Sequence, residues 1–180
     1  MNKRITLITN FENEISYKID KLIKNTGIST CKVPYGVEGV DDRIKMDTLP
    51  YHLTICTWNE TEKELVIDFL NSISFQSLTV YVNNVELMDG RNNSKVLYLS
   101  IEKNEKLISL QKKLYEKFEN SKYNPDNFVF HITLDIDQDT QKILKLEKEI
   151  KKLFVPFKIE ITSIGLYEIY PAIQIHNIKS

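Results

Sequence analysis

Apolar and polar positions alternate along several short stretches of the chain, and in two of them the alternation carries the same tetrapeptide pattern. The first is His52, Leu53, Thr54 and Ile55, preceded by Tyr51; the second is His131, Ile132, Thr133 and Leu134, preceded by Phe130. Period-two patterning rich in β-branched residues predicts strands. Residues i and i+2 of a strand share a face. His52 and Thr54 therefore share one face and Leu53 and Ile55 the other, and His131 and Thr133 oppose Ile132 and Leu134 in the same way. By the same period, Cys56 and Asp135 are expected on the histidine faces.

Around these strands the periodicity switches between 2 and 3.6. Residues 4–9 read as a strand. Asn10 or Asn13 opens a helix to about residue 25, with Ile15, Ile19, Leu22 and Ile23 on one stripe, and Gly27 ends it. Residues 28–33 read as a short strand, and 34–50 as a long loop rich in Gly, Asp and Pro, expected to close over a ligand. After the first histidine strand, Asn59 or Thr61 starts a helix whose apolar face is Leu65, Val66, Phe69, Leu70 and Ile73. Strands follow at 77–87 and 96–101, joined by a turn at 89–93. A helix at 104–119 buries Leu107, Leu110, Leu114 and Phe118, and Asn124, Pro125 and Asp126 break the chain before the second histidine strand. A helix at 138–153 and two strands, near 158–168 and 172–177, complete the order.

That order repeats after roughly 90 residues, as segments 1–89 and 95–180. Counted from each histidine, Leu65, Phe75, Val80, Val82, Val85 and Leu87 correspond to Leu144, Phe154, Ile159, Ile161, Ile164 and Leu166, with no gap. The expected architecture is α+β: one bilobal domain over residues 1–180, built from duplicated β-α-β units with pseudo-two-fold symmetry. Antiparallel-rich sheets would surround a central cleft, with helices outside.

Composition narrows the function without naming it. The chain has 180 residues, of which 42% are hydrophobic and 27% charged, and a formal net charge of −1. That is enough apolar residue for a core and too little positive charge to coat a nucleic-acid duplex. Contact with nucleic acid is expected to be local. Cys31 and Cys56 make no disulfide framework and are expected as reduced thiols in a cytoplasmic protein. No stretch approaches the roughly 18 apolar residues of a membrane span, and no obligate protein partner is evident.

Two imidazoles, each beside a hydroxyl, suit phosphodiester chemistry. A base must activate the attacking oxygen and an acid must protonate the departing one. Histidine does both near neutral pH. Thr54 and Thr133 would donate to non-bridging oxygens. No cofactor is expected, and no cluster has metal-ligand spacing. A nucleotide substrate also needs a surface on which the base can stack. Tyr35, Tyr167 and Tyr170 are the aromatic candidates, while Arg43 and Arg91 are candidates for phosphate contact. His176 alternates onto the polar side of the last strand and reads as a surface residue.

Two H-x-T-hydrophobic motifs 79 positions apart in a duplicated chain of this length resemble the 2H phosphoesterase superfamily, which includes the 2′-5′ RNA ligases and cyclic nucleotide phosphodiesterases. The resemblance implies that His52 and His131 are the acid and base and that Thr54 and Thr133 hold the phosphate. It implies a substrate with a 2′,3′-cyclic phosphate or 2′-5′ linkage, on a nucleotide or RNA end, cleaved without metal, with 2′-5′ ligation as the reverse. Many relatives place a basic residue where this chain has Cys56 and Asp135. The alternative class is a non-catalytic binding module for RNA ends or nucleotides that uses the same cleft.

Overall fold

The computed structural model describes residues 4–28, 49–118, 123–169 and 172–180. The expected short strand at 28–33, most of the loop at 34–50 and its proposed closure lie outside the described residues, as do Cys31, Tyr35, Arg43 and Tyr170.

Among the described residues, eight strands form two antiparallel four-stranded sheets. They are β1 (Arg4–Asn10), β2 (Thr54–Asn59), β3 (Leu78–Asp89), β4 (Lys95–Ile101), β5 (His131–Asp137), β6 (Phe157–Ile161), β7 (Ser163–Ile169) and β8 (Ile173–Lys179). The first sheet runs β2-β1-β7-β8 and the second β5-β4-β3-β6. Among the described residues each histidine strand is therefore an edge strand. Neither sheet is built by one half of the chain: β7 and β8 complete the first, and β3 joins the second.

The repeat is visible in the pairing itself. Val80 pairs with Ile159, Leu78 with Ile161 and Val82 with Phe157. Val80 and Ile159 are equivalent positions of the repeat, and so are Leu78 and Phe157. Two equivalent segments thus pair antiparallel about their own centre, which places a local two-fold axis between Val80 and Ile159. The single strand expected near 158–168 is two strands, β6 and β7, interrupted at Thr162 and held in different sheets. Its counterpart β3 stays continuous, pairing β6 with its first part and β4 with its second. β8 adds an edge to the first sheet only.

The helices are α1 (Asn13–Ile23), α2 (Lys63–Ser72), α3 (Glu105–Lys117) and α4 (Thr140–Leu153), with a 3₁₀ turn at Glu60–Glu62 before α2. Asn104 caps α3 by accepting from Leu107 N at 3.1 Å, and Asp139 caps α4 by accepting from Gln141 N and Lys142 N. At α1 the residue in the cap position is Glu12, not Asn10 or Asn13, and its side chain makes no cap bond. Gly27 ends the α1 segment at φ +81°. Leu65, expected on the buried stripe of α2, is 60% exposed, because that stripe is carried by Val66 and Leu70.

One apolar cluster joins both sheets and all four helices. Ile19 and Ile23 of α1, Val66 and Leu70 of α2, Leu107 and Leu114 of α3, and Ile143, Leu146 and Ile150 of α4 meet Leu53, Ile55, Trp58, Leu99, Ile132 and Ile159. The two motif strands thus turn their apolar residues into the helices' layer, which leaves the histidine faces on the other side. Among the described residues, no helix is long and apolar enough to cross a membrane.

Candidate active site

Each histidine is set by the same local construction. His52 Nδ1 lies 2.6 Å from the carbonyl oxygen of Pro50, and His131 Nδ1 lies 2.7 Å from that of Val129. A carbonyl only accepts, so Nδ1 carries the hydrogen in both rings and Nε2 is the nitrogen that titrates. Both imidazoles are half-buried, as are Thr54 and Thr133, while Leu53, Ile55 and Ile132 are fully buried and Leu134 nearly so. The period-two reading holds through these residues. Strand β2 itself begins at Thr54. Leu53 just before it is still tied to β1, accepting from Thr9 N at 3.0 Å and donating its own N–H to Thr9 Oγ1 at 2.9 Å.

Beyond the threonines the period breaks, at the same place in both strands. Thr54 pairs with Ile8 and Cys56 with Leu7, leaving Ile55 as an extra residue. Thr133 pairs with Tyr98 and Asp135 with Leu97, leaving Leu134 extra. These are equivalent β-bulges, and a bulge shifts the alternation by one. It corrects two expectations. Cys56 is fully buried with Ile55 in the main core and is not on the histidine face. Asp135 turns toward Asp137 and Lys142 at the start of α4, away from Thr133. Burial raises its pKa, and Lys142 pulls the other way. The carbonyl of the bulged Ile55 accepts from Gln111 Nε2 at 2.9 Å, a fully buried amide on α3. The signal for Gln111 was its place on the buried stripe of α3, four residues after Leu107 and three before Leu114.

The electrostatics of the two rings are linked. Burial lowers the pKa of His52 to about 4; the Pro50 carbonyl opposes this, and the charge of His131 lowers it further. Burial also lowers His131, opposed by the Val129 carbonyl. The influence of His131 on His52 places the two rings within electrostatic reach of each other.

The remaining sequence candidates divide. The hydroxyl of Tyr167 lies 3.1 Å from Asn10 Oδ1 and 2.9 Å from Gln174 Oε1. Its ring folds back over Gly165, where a Cβ would come within 2.7 Å of it, and packs with Ile8, Leu49 and Ile169. Tyr167 is therefore a buried wall beside the first histidine strand, not an open stacking surface. Arg91 sits in the β3–β4 turn, past the Lys95–Asp137 pair that ends β5. That is the opposite end of the second sheet from His131, about 20 Å along the strand, so the fold does not bring Arg91 to the histidines. His176 is half-buried, and its Nε2 is enclosed without a hydrogen-bond partner.

Residues not singled out from the sequence complete the neighbourhood. Tyr98 stands edge-on to His131 with ring centroids 5.3 Å apart, and Phe128 flanks the same imidazole at 6.4 Å. Tyr98 donates to Glu86 Oε2 at 2.9 Å, and burial with this carboxylate pushes its phenol up to about 12. The available signal was the polar alternation of β4, which sets Tyr98 beside Thr133 once the strands are paired. Among the described residues, no group of three or more His, Cys, Asp or Glu side chains is placed to hold a metal ion.

Comparison with known proteins gives the family and the fold. The 2′-5′ RNA ligase superfamily matches residues 72–170, a segment that holds His131 and Thr133. The chain belongs to that superfamily, the 2H phosphoesterases. Among solved structures, E. coli LigT complexed with ATP superposes with a TM-score of 0.59 at 16% identity, covering 99% of this chain and 97% of LigT. LigT complexed with 3′-AMP gives 0.57 at 17%, covering 99% and 98%. Usb1 of Kluyveromyces marxianus with uridine monophosphate gives 0.56 at 11%, covering 97% and 98%. At these identities the likeness is one of fold. No curated protein matches the chain by sequence.

Proposed function

We propose that this protein is a phosphodiesterase that acts on 2′,3′-cyclic phosphates or 2′-5′ linkages of nucleotides or RNA ends, with His52 and His131 as its acid and base. The observation that carries the reading is the matched anchoring of the two imidazoles: each Nδ1 is fixed on a carbonyl two residues upstream, and each ring has a threonine next to it on the same face. Fixing Nδ1 aims Nε2, and a pair of aimed nitrogens can take a proton on one side of a phosphorus and deliver one on the other. Thr54 and Thr133 are the hydroxyls that hold the non-bridging oxygens as charge builds on them. The relatives were solved with ATP, 3′-AMP and uridine monophosphate, which favours a nucleotide here. With a 5′-hydroxyl as the attacking group, the same residues would run 2′-5′ ligation. The reaction needs no metal in this reading.

The test is hydrolysis of a 2′,3′-cyclic nucleotide in excess EDTA, across about pH 3 to 9, for wild type and for His52→Ala and His131→Ala. A bell-shaped wild-type profile with both variants inactive is expected. Variants as active as wild type, with binding retained, would replace the enzyme with a binding module.

A further inference from the structure

The face of the first sheet that carries Thr54 continues across all four strands. One row of paired residues runs Thr54, Ile8, Gly165 and Asn177. Paired residues share a face, and so do residues two apart. Tyr167 and its partner Gln174 therefore stand on this face, as does Asn10 at the end of β1. Asn10 follows Thr9, which is tied to Leu53, so it lies beside the start of the His52 strand.

Asn177, Asn10, Tyr167 and Gln174 form one relay of hydrogen bonds. Asn10 Nδ2 lies 2.8 Å from Asn177 Oδ1, Asn10 Oδ1 lies 3.1 Å from the Tyr167 hydroxyl, and Gln174 Oε1 lies 2.9 Å from the same hydroxyl. Gly165 permits this closure, since a Cβ there would come within 2.7 Å of the Tyr167 ring and 3.0 Å of the Asn10 amide. Burial raises the pKa of the phenol, which keeps its hydrogen. One hydrogen can go to only one of the two amides, so the other turns its NH₂ group toward the hydroxyl. Whichever amide turns, the hydrogen bonds then run in one direction along the relay. One outer end offers a carbonyl oxygen and the other an amide N–H. Those ends are Gln174 and Asn177, both exposed, while Tyr167 between them is buried.

We propose that Asn10, Tyr167, Gln174 and Asn177 form a subsite that holds the base of a nucleotide substrate by its hydrogen-bonding edge. This rests on the nucleotide phosphodiesterase reading above. A nucleobase edge such as N6–H₂ and N7 of adenine sets a donor beside an acceptor, which complements the two ends of the relay. Unstacked bases are held by such edges. The sheet sets the scale: neighbouring strands are about 4.8 Å apart, so β7 lies about 10 Å and β8 about 14 Å from β2. A nucleoside that extends across the sheet from a phosphate on Thr54 places its sugar over β1 and its base over β7 and β8. The relay is uncharged, and it holds the base without repelling the phosphate. The equivalent row of the second sheet runs Thr133, Tyr98 and Glu86. Glu86 there accepts from Tyr98 and Asn84, and its charge opposes an approaching nucleotide.

The experiment measures kcat/KM of wild type, Gln174→Leu and Asn177→Leu on adenosine 2′,3′-cyclic phosphate and on ribose 2′,3′-cyclic phosphate, which lacks the base. Both residues are exposed, so both variants are expected to fold. Wild type is expected to prefer the nucleotide by about 10-fold or more, and each variant to lose about 3- to 10-fold of that preference, the equivalent of one hydrogen bond. In parallel, the side-chain amide signals of Asn10, Gln174 and Asn177 are followed by NMR as adenosine 3′-monophosphate or ribose phosphate is added. They are expected to move with the nucleotide and to stay in place with the sugar phosphate. A preference that survives in both variants, or amide signals that respond alike to both additions, would overturn the proposal. So would variants whose melting temperature falls while the preference holds, because the relay would then only pin β8 to its sheet. If wild type hydrolyses neither substrate, the phosphodiesterase reading fails, and the amide signals still decide whether a base is held here.

Discussion

The surroundings of His52 and of His131 differ far more than their backbones do. Both rings hang from a carbonyl two residues upstream, both precede a threonine, and both threonines precede a bulge. Around His131 the inner strands present Tyr98 and Glu86, with Phe128 at the flank. Around His52 they present Ile8 and Gly165, with Tyr167 folded back as a buried wall. Duplication supplies two aimed imidazoles on a common frame, and divergence on the strands behind them gives each a different neighbourhood.

Removing either imidazole is the largest perturbation. His52→Ala and His131→Ala are each expected to cost about 10²- to 10⁴-fold in kcat, measured on a cyclic nucleotide. Next come the hydroxyls. Thr54→Val and Thr133→Val each remove a hydrogen bond to a charged oxygen, worth about 1.5–3 kcal/mol, and are expected to lower kcat/KM by about 10- to 100-fold. Unequal losses at the two threonines would show that the lobes share the phosphate unevenly.

A stability effect separates the lobes more finely. Gln111→Leu leaves the bulged Ile55 carbonyl buried without its donor, at a cost of about 1–3 kcal/mol in urea unfolding, and loosens the His52 strand alone. The pH dependence has a definite sign. His52 is held at about 4 in the folded protein, below its usual 6.5. Between those values the unfolded chain binds the proton and the folded one does not, so stability falls as pH is lowered through that window. The melting temperature is expected to drop from pH 6.5 toward 4, and His52→Asn to flatten the drop. The smallest effect is expected at Asp135. Because the bulge turns it toward Lys142, Asp135→Asn is expected to leave kcat and KM close to those of wild type. A marked fall in KM would place that carboxylate back beside the phosphate.

Much of this was legible in the chain. The alternation through His52 to Ile55 and His131 to Leu134, the stripes of the helices and the gap-free spacing after each histidine defined the elements, their order and the duplication. These are local properties: side-chain direction follows from backbone period, and apolar residues must be buried wherever the period puts them. They also singled out the four residues of the motif pair.

Pairing between distant strands decided the rest. A bulge is a property of two strands in register, so the chain alone extended the alternation one step too far and put Cys56 and Asp135 on the wrong face. Exchange of β3 and β7 between the sheets set Glu86 and Gly165 in their rows, and the fold of Tyr167 over Gly165 closed a ring that looked available. Arg91 lay near the motifs in kind but at the wrong end of a strand. Sequence determined what each segment is and which face it buries, because both follow from neighbours a few residues apart. The neighbours of His131 came from strands some 30 to 45 positions away, those of His52 in part from much farther, and only the closed sheets could bring them together.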